Sequence, residues 1–396
     1  MTKVAVVRCS DYDRARVLDA TVRAVELLGG VGRFAPPGRT VLLKPNMLSA
    51  KPPEKAVTTH PSVVWAAARL VRDAGATAWV GDAPGGASWD GTAKHLEATG
   101  IGPAAVAAGA ELKDFEAGER DLLTSPDGSP VRRFAIARAA RQADAVFSLA
   151  KLKTHSLVLY TGAVKNMFGC VPGGGKIRVH QLAATPRELS DALLDVYAAV
   201  RPSLALIDAI VGMEGNGPMH GDPRPLGLLI ASEDAVAADA VACHIIGYPP
   251  RALHMLRQAE RRGLGTADLR NIEVVGEPLE RCLVHDFVHA SSLLPALVPA
   301  FLARLITRAV RVDPEIVQEL CKRCGLCQRS CPAEAIRGRE RLEVDYAACI
   351  RCFCCHELCP HGAVALRKSW PIRLYEYSRE RRRARKARRV KSQQAD

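Results

Sequence analysis

Thirteen cysteines occur in this chain of 396 residues, and eight of them follow a spacing with its own chemistry. Cys321, Cys324, Cys327 and Cys331 lead into Pro332, and Cys349, Cys352, Cys355 and Cys359 lead into Pro360. Both runs read C-x2-C-x2-C-x3-C-P, 28 residues apart, and Ala335-Ile336 after the first is matched by Ala363-Val364 after the second. This is an internal duplication. A 4Fe-4S cube needs four thiolates around one small volume. C-x2-C-x2-C lets a tight loop wrap three corners, with backbone N–H groups aimed at the sulfurs. Structural zinc also uses paired C-x2-C, but identical triplets each ending in Cys-Pro suit clusters better than a single ion. Cys354, an extra cysteine in the second run, stands where the first has Leu326. Free cysteine packs as a small hydrophobe, and that is its expected role, with a redox part as the alternative.

A second chemical stretch spans residues 151–180. It carries Lys151, Lys153, His155, Lys165, Asn166, Lys176, Arg178 and His180 around a glycine-rich segment. Cationic side chains and bare backbone N–H groups would suit an anionic ligand, a phosphate or a carboxylate. This is not a Walker loop: Cys170 occupies the frame's first glycine and Ile177 replaces the Ser/Thr that binds magnesium. No G-x-G-x-x-G follows a strand either. Lys165 and Asn166 could polarise a carbonyl or hold a carboxylate. Alternatively, Asn166 and Gly169 cap a helix and Lys165 is solvated. His155 and His180 could serve as acid–base groups or metal ligands. Asp82, before Pro84-Gly85-Gly86, reads as a metal or hydroxyl ligand or as an Asx-turn. Glu214, Asn216, His220 and Asp222 crowd a glycine-rich loop.

These residues need a scaffold. Short apolar runs at 3–9, 41–43, 78–81, 145–149, 204–207 and 226–230 predict strands. Helical spacing appears at 13–28, 61–74, 186–200 and 235–246. Alternating strands and helices predict an α/β domain, a mainly parallel sheet with helices on both faces. In such sheets ligands bind at the carboxyl ends of strands. The loops expected there are Lys44 to Asn46, Asp82 to Gly86, Lys151 to His155 and Asp208 to Asp222. Residues 1–290 form this domain. An apolar linker helix at 291–312, broken by Pro295 and Pro299, is expected to dock the cysteine domain of 313–368 rather than lie on a membrane. Residues 369–396 are a basic tail.

The cysteine region resembles bacterial two-cluster ferredoxins over residues 313–368, a small α+β domain. That resemblance implies crossed ligation: one cluster on Cys321, Cys324, Cys327 and Cys359, the other on Cys349, Cys352, Cys355 and Cys331. The remainder resembles the domain of unknown function 362 family over roughly residues 3–250. The motifs that carry the likeness are K-P-N (44–46), K-x-K-T-H (151–155), T-G-A-V-K-N-M-F-G (161–169) and V-P-G-G-G-K followed by His180. This resemblance implies an α/β domain in iron–sulfur proteins, often joined to a ferredoxin-like domain. It transfers no catalytic residues.

The formal net charge is +13, but from Arg367 onward there are twelve Lys/Arg against three Asp/Glu, a net of +9. The basic character therefore belongs to the tail. Nucleic-acid binding there would lack interleaved aromatics, so a solvated tail is the expected reading. No apolar run of eighteen residues predicts a membrane span, and the N-terminus lacks a secretory signal. Clustered thiols then place the protein in the cytoplasm. Two functions compete. One is an oxidoreductase that passes electrons from two 4Fe-4S clusters to an anionic small molecule on the α/β domain. The other is a non-catalytic electron carrier or assembly factor docking on a redox protein partner.

Overall fold

Apolar strand cores alternating with capped helices build one large sheet. The computed structural model describes residues 1–85, 91–183, 185–290, 311–374 and 377. The chain divides into two compact units, Met1–His285 and Asp286–Asp396. In the first, the strands in chain order are β1 (Thr2–Arg8), β2 (Thr40–Pro45), β3 (Thr77–Asp82), β4 (Glu111–Asp114), β5 (Arg120–Thr124) and β6 (Arg133–Ala137). They continue with β7 (Ala145–His155), β8 (Leu159–Thr161), β9 (Leu204–Glu214), β10 (Asp222–Ser232) and β11 (Ile272–Gly276).

The main sheet runs β11-β1-β10-β9-β7-β2-β3-β4, with β8 added to β7, and β5 and β6 form a separate hairpin. All its pairings are parallel except those of β10 with its two neighbours and of β8 with β7. The sheet is thus mainly parallel, as predicted, with β10 the antiparallel insertion. Helices Arg14–Glu26, Pro61–Asp73 and Ile101–Ala107 pack together on one side. Helices Ala163–Asn166, Pro186–Ala199, Ala235–Ile245 and His254–Arg261 pack together on the other. Strand residues alternate between the two layers: Val41, Leu43, Phe147, Leu149, Leu204 and Leu206 belong to the core under the first helices. Local signals start the helices where expected. Pro61 and Pro186 open theirs, and Thr185 with Glu188 forms a reciprocal capping box.

Three expectations fail, the first of them in part: of the expected loop Lys44 to Asn46, Lys44 and Pro45 still belong to β2. Lys151 to His155 is not a loop: it is the buried second half of β7. Nor is Asp208 to Asp222 a loop throughout. β9 continues to Glu214 and β10 begins at Asp222, so only 215–221 turns. A lysine normally ends a buried strand, because burying an uncompensated charge is costly. Here the parallel register sets Lys151 opposite Asp208, and the pairing keeps the strand going. Gly86, residues 291–310 of the expected linker and the basic run Arg379 to Lys391 lie outside the described residues.

The second unit is a small α+β fold. β12 (Val312–Ile316) pairs antiparallel with β15 (Val364–Lys368), and β13 (Ile336–Arg337) with β14 (Glu343–Val344). Short helices Leu326–Arg329 and Cys354–Leu358 begin inside the two cysteine runs. The duplication extends to the backbone. Arg323 and Arg351 (φ 54° and 59°), Gly325 and Phe353 (70° and 57°), and Glu334 and Gly362 (50° and 63°) are left-handed pairs, each 28 residues apart.

Candidate functional site

In the C-terminal unit the left-handed residues beside the middle cysteines turn the loop inward, and successive N–H groups in such a turn form an anion-accepting concavity. One hollow is lined by Cys321, Cys324, Cys327 and Cys359. A second is lined by Cys331, Cys349, Cys352 and Cys355. Each quartet takes three cysteines from one run and one from the other. The backbone N–H of Ala335 donates to Cys331 Sγ and that of Ala363 to Cys359 Sγ, both at 3.2 Å. Apolar walls close the space: Ile316, Leu342 and Val364 around the first hollow, Ile336, Val344 and Phe353 around the second. Burial pushes the Cys327 thiol up to about 11. Among the described residues no three His, Cys, Asp or Glu side chains converge to hold one metal ion; the quartets surround hollows instead. Four sulfur donors, apolar walls and N–H groups turned to the sulfurs fit a 4Fe-4S cube. Cys354 is buried and does not line either hollow.

In the α/β unit two polar networks sit at the carboxyl ends of the strands, one on each face. Lys44 follows Leu43 of the first core and so turns to the opposite side. There its Nζ pairs with Asp82 at 2.7 Å and donates to Asn166 Oδ1 at 3.0 Å. Asn166 returns hydrogen bonds to the Lys44 carbonyl at 2.9 Å and Ser148 Oγ at 3.1 Å. Asp82 Oδ2 accepts from the Met47 N–H, which is a ligand-free use of that carboxylate. Gly169 closes over this pair, and a Cβ there would stand 1.9 Å from Asp82 Oδ1 and 2.3 Å from Lys44 Nζ. Lys176 donates to the carbonyls of Ala83 and Pro84 at 2.7 and 2.8 Å. Burial pulls its ammonium down to about 8, with Asp82 opposing.

The other network centres on Lys151, on the face of Phe147 and Leu149. Its Nζ donates to Asp208 Oδ2 at 2.7 Å, Tyr12 OH at 2.9 Å and the Val211 carbonyl at 3.0 Å. Tyr12 OH in turn donates to Asp208 Oδ1 at 2.8 Å, and the His60 N–H donates to Asp208 Oδ2 at 2.9 Å. The Tyr12 and His60 rings stack at 3.6 Å. Burial lowers His60 to about 4 while Asp208 pulls the other way, so the ring is neutral at pH 7. Its Nδ1 accepts from the Ser62 N–H, capping the helix Pro61–Asp73. Lys153 Nζ donates to Asn46 Oδ1 and the Val57 carbonyl at 2.7 and 2.6 Å.

The expected single site of residues 151–180 is therefore divided. Lys151, Lys153 and His155 share one face of β7, while Asn166 and Lys176 belong to the Lys44 network. His155 Nδ1 accepts from the N–H groups of Leu157 and Val158, bracing the turn between β7 and β8. Asn166 stands at the start of the short helix Met167–Cys170, but its side chain makes no capping bond and instead forms a buried bridge between Lys44 and Ser148. Lys165 is half-buried, its Nζ 5.9 Å from the Phe168 ring centre. His180 packs edge-on to Phe168 at 6.0 Å, and burial drives it down to about 3. Glu214 ends β9 and Asp222 begins β10, paired in register across the hairpin. Tyr12 and His60 carry no local signal. They reach Lys151 and Asp208 across 139 and 148 residues of chain.

A family model described as "Domain of unknown function (DUF362)" matches residues 41–244. The chain belongs to the DUF362 family. A second model, a 4Fe-4S dicluster domain, matches residues 313–360, so this DUF362 member is an iron–sulfur protein. It is similar to the "Thylakoid-associated protein sll1697" of Synechocystis, 37% identical over 262 residues that cover 66% of this chain and 79% of that protein. It also aligns with the lactate racemase apoprotein of Thermoanaerobacterium thermosaccharolyticum at 11% identity and a TM-score of 0.41, over 60% of this chain and 56% of that one. No helix among the described residues is long and apolar enough to cross a membrane.

Proposed function

We propose that the C-terminal unit holds two 4Fe-4S clusters, and that the protein is an oxidoreductase whose α/β unit carries a substrate with an anionic group. The clusters supply one-electron transfer when bound. The observation that carries the reading is the pair of four-cysteine hollows, each drawing its fourth thiol from the other run. The α/β part rests on charge. Lys44, Lys151, Lys153 and Lys176 gather at the carboxyl edge, with Lys44 paired to Asp82 and Lys151 to Asp208. Four ammonium groups on one edge suit an anion, and half-buried Asn46 and His60 are bonded to Lys153 and Asp208 of the same networks. A reducing compartment such as the cytoplasm suits thirteen cysteines of which none is in a disulfide.

One observation favours the alternative of an electron carrier or assembly factor docking on a redox protein. Lys151, Lys153, Lys176 and Asn166 are all buried and bonded to protein groups. They then act as internal struts, and the α/β unit serves as a docking body.

Anaerobically purified protein is expected to contain about eight iron and eight sulfide per chain. Cys321→Ser and Cys359→Ser should each remove the same half of the iron, Cys349→Ser and Cys331→Ser the other half. Stoichiometric zinc without visible absorption refutes the cluster reading. Loss patterns that follow the two runs refute the crossed one. Reoxidation of the reduced protein by a small carboxylate or phosphate ester, lost on Lys151→Met, distinguishes the oxidoreductase from the carrier.

A further inference from the structure

The internal duplication supplies its own control, because the two cysteine sites share a backbone and differ at identifiable residues. Lys322 beside the first hollow corresponds to Ile350 beside the second, and His361 corresponds to Ala333. Arg329 corresponds to Glu357. Arg329 folds back onto Gly325, which lines the first hollow: a Cβ on Gly325 would stand 2.9 Å from its Nη1. Glu357 is buried and acts electrostatically on Cys352. Arg323 corresponds to Arg351, but Arg351 Nε is paired with Asp313 at 2.8 Å, and Asp313 takes Arg311 on its other oxygen at 2.9 Å. Phe353 fills the place of Gly325 and covers the second hollow. Cys324 is exposed while its counterpart Cys352 is buried.

These differences in charge and exposure act in one direction. Adding an electron to a thiolate-bound site adds negative charge. Nearby cations and water stabilise that charge, and an apolar, acidic surrounding opposes it. Hydrogen bonds to sulfur also tune such sites: the N–H···S bonds of Ala335 and Ala363 are the same length and cancel, while Cys354, whose counterpart is Leu326, bonds to Cys352 and partly offsets the trend at the second site.

Resting on the two-cluster reading, we infer that Lys322, Arg323 and Arg329 make the Cys321–Cys324–Cys327–Cys359 site the one of higher reduction potential. An added electron resides there, at the exposed Cys324 side of the unit. Transfer between the sites moves one electron, oxidising one and reducing the other, with no bond made and no proton moved. The face around Lys322, Arg323 and Cys324 then suits an acidic one-electron acceptor.

The test is a potentiometric titration of the anaerobic full-length protein with dithionite, followed by electron paramagnetic resonance and visible absorption. Two one-electron waves are expected, separated by at least a tenfold preference for the first site, ~59 mV for a one-electron couple. Lys322→Ile should lower the upper wave and leave the lower one in place. Ile350→Lys, at a position that is 38% exposed, should raise the lower wave alone. A single coincident wave overturns the inference, as does Lys322→Ile shifting the lower wave. Failure of the two-cluster reading would appear separately, as about four iron per chain before any titration.

Discussion

The Lys151–Asp208 pair should fail asymmetrically. Both side chains are almost completely buried, at 1% and 0% exposure. In Asp208→Ala the Lys151 ammonium keeps only Tyr12 OH and the Val211 carbonyl, and the Tyr12 hydroxyl and the N–H groups of His60 and Ile210 lose their acceptor. Leaving one partner of a buried pair uncompensated costs about 3–5 kcal/mol. At about 2–4 °C per kcal/mol for a domain of this class, the unit's melting temperature should fall by roughly 6–20 °C. Lys151→Met should cost much less, because Asp208 retains three donors. The double variant Lys151→Met/Asp208→Leu removes both charges and should recover most of the loss. Burial already pulls Lys151 below its ordinary value. Without Asp208 the unfolded chain holds a proton that the folded chain sheds, so the stability of Asp208→Ala should rise with pH toward the free lysine value. Thermal unfolding is read by tryptophan fluorescence, since Trp65 and Trp79 lie in this unit. If Lys151→Met is as damaging as Asp208→Ala, or the double variant is no better than the single, the network does not work as described.

Lys176 gives a pH signature of its own. Its folded value is about 8 against an ordinary 10.5, so between those limits the unfolded state binds the extra proton. Stability should rise with pH across that window by about 3 kcal/mol, and Lys176→Met should flatten the rise in urea titrations at pH 8 and pH 10.5. An unchanged slope would contradict the buried, carbonyl-held ammonium. Gly169→Ala should destabilise by more than about 3 kcal/mol, because its methyl group falls on the Lys44–Asp82 pair. Gly174→Ala, with nothing within 4 Å of the new carbon, should stay within about 0.5 kcal/mol. Equal effects in thermal melts would refute the close approach.

The scaffold was readable where the local signal is strong. Pro61, Pro186 and the Thr185/Glu188 box mark helix starts by backbone chemistry that needs no distant partner. The strands at 41–43 and 145–149 stand out because both faces are covered and their residues are apolar apart from Ser148. Between 87 and 144 no such periodicity stands out, and the structure places β4, β5 and β6 there with partly exposed faces. The second half of β7 was hidden for a different reason. Its lysines mimic a loop until Asp208, Asn46 and the Val57 carbonyl are brought beside them.

By itself the sequence determined the iron–sulfur chemistry, because ligand spacing within a single loop is a local property and the duplication repeats it. It also determined the α/β class, through the alternation of apolar periods. Only the tertiary structure decided the rest. It gathered each cysteine quartet from both runs, in the grouping that the ferredoxin resemblance implies and spacing alone does not, and it separated the lysines of 151–180 onto opposite faces of the sheet. It brought Tyr12 and His60 to Lys151. The physical reason is that burial and charge compensation depend on partners more than a hundred residues away, and strand register selects those partners.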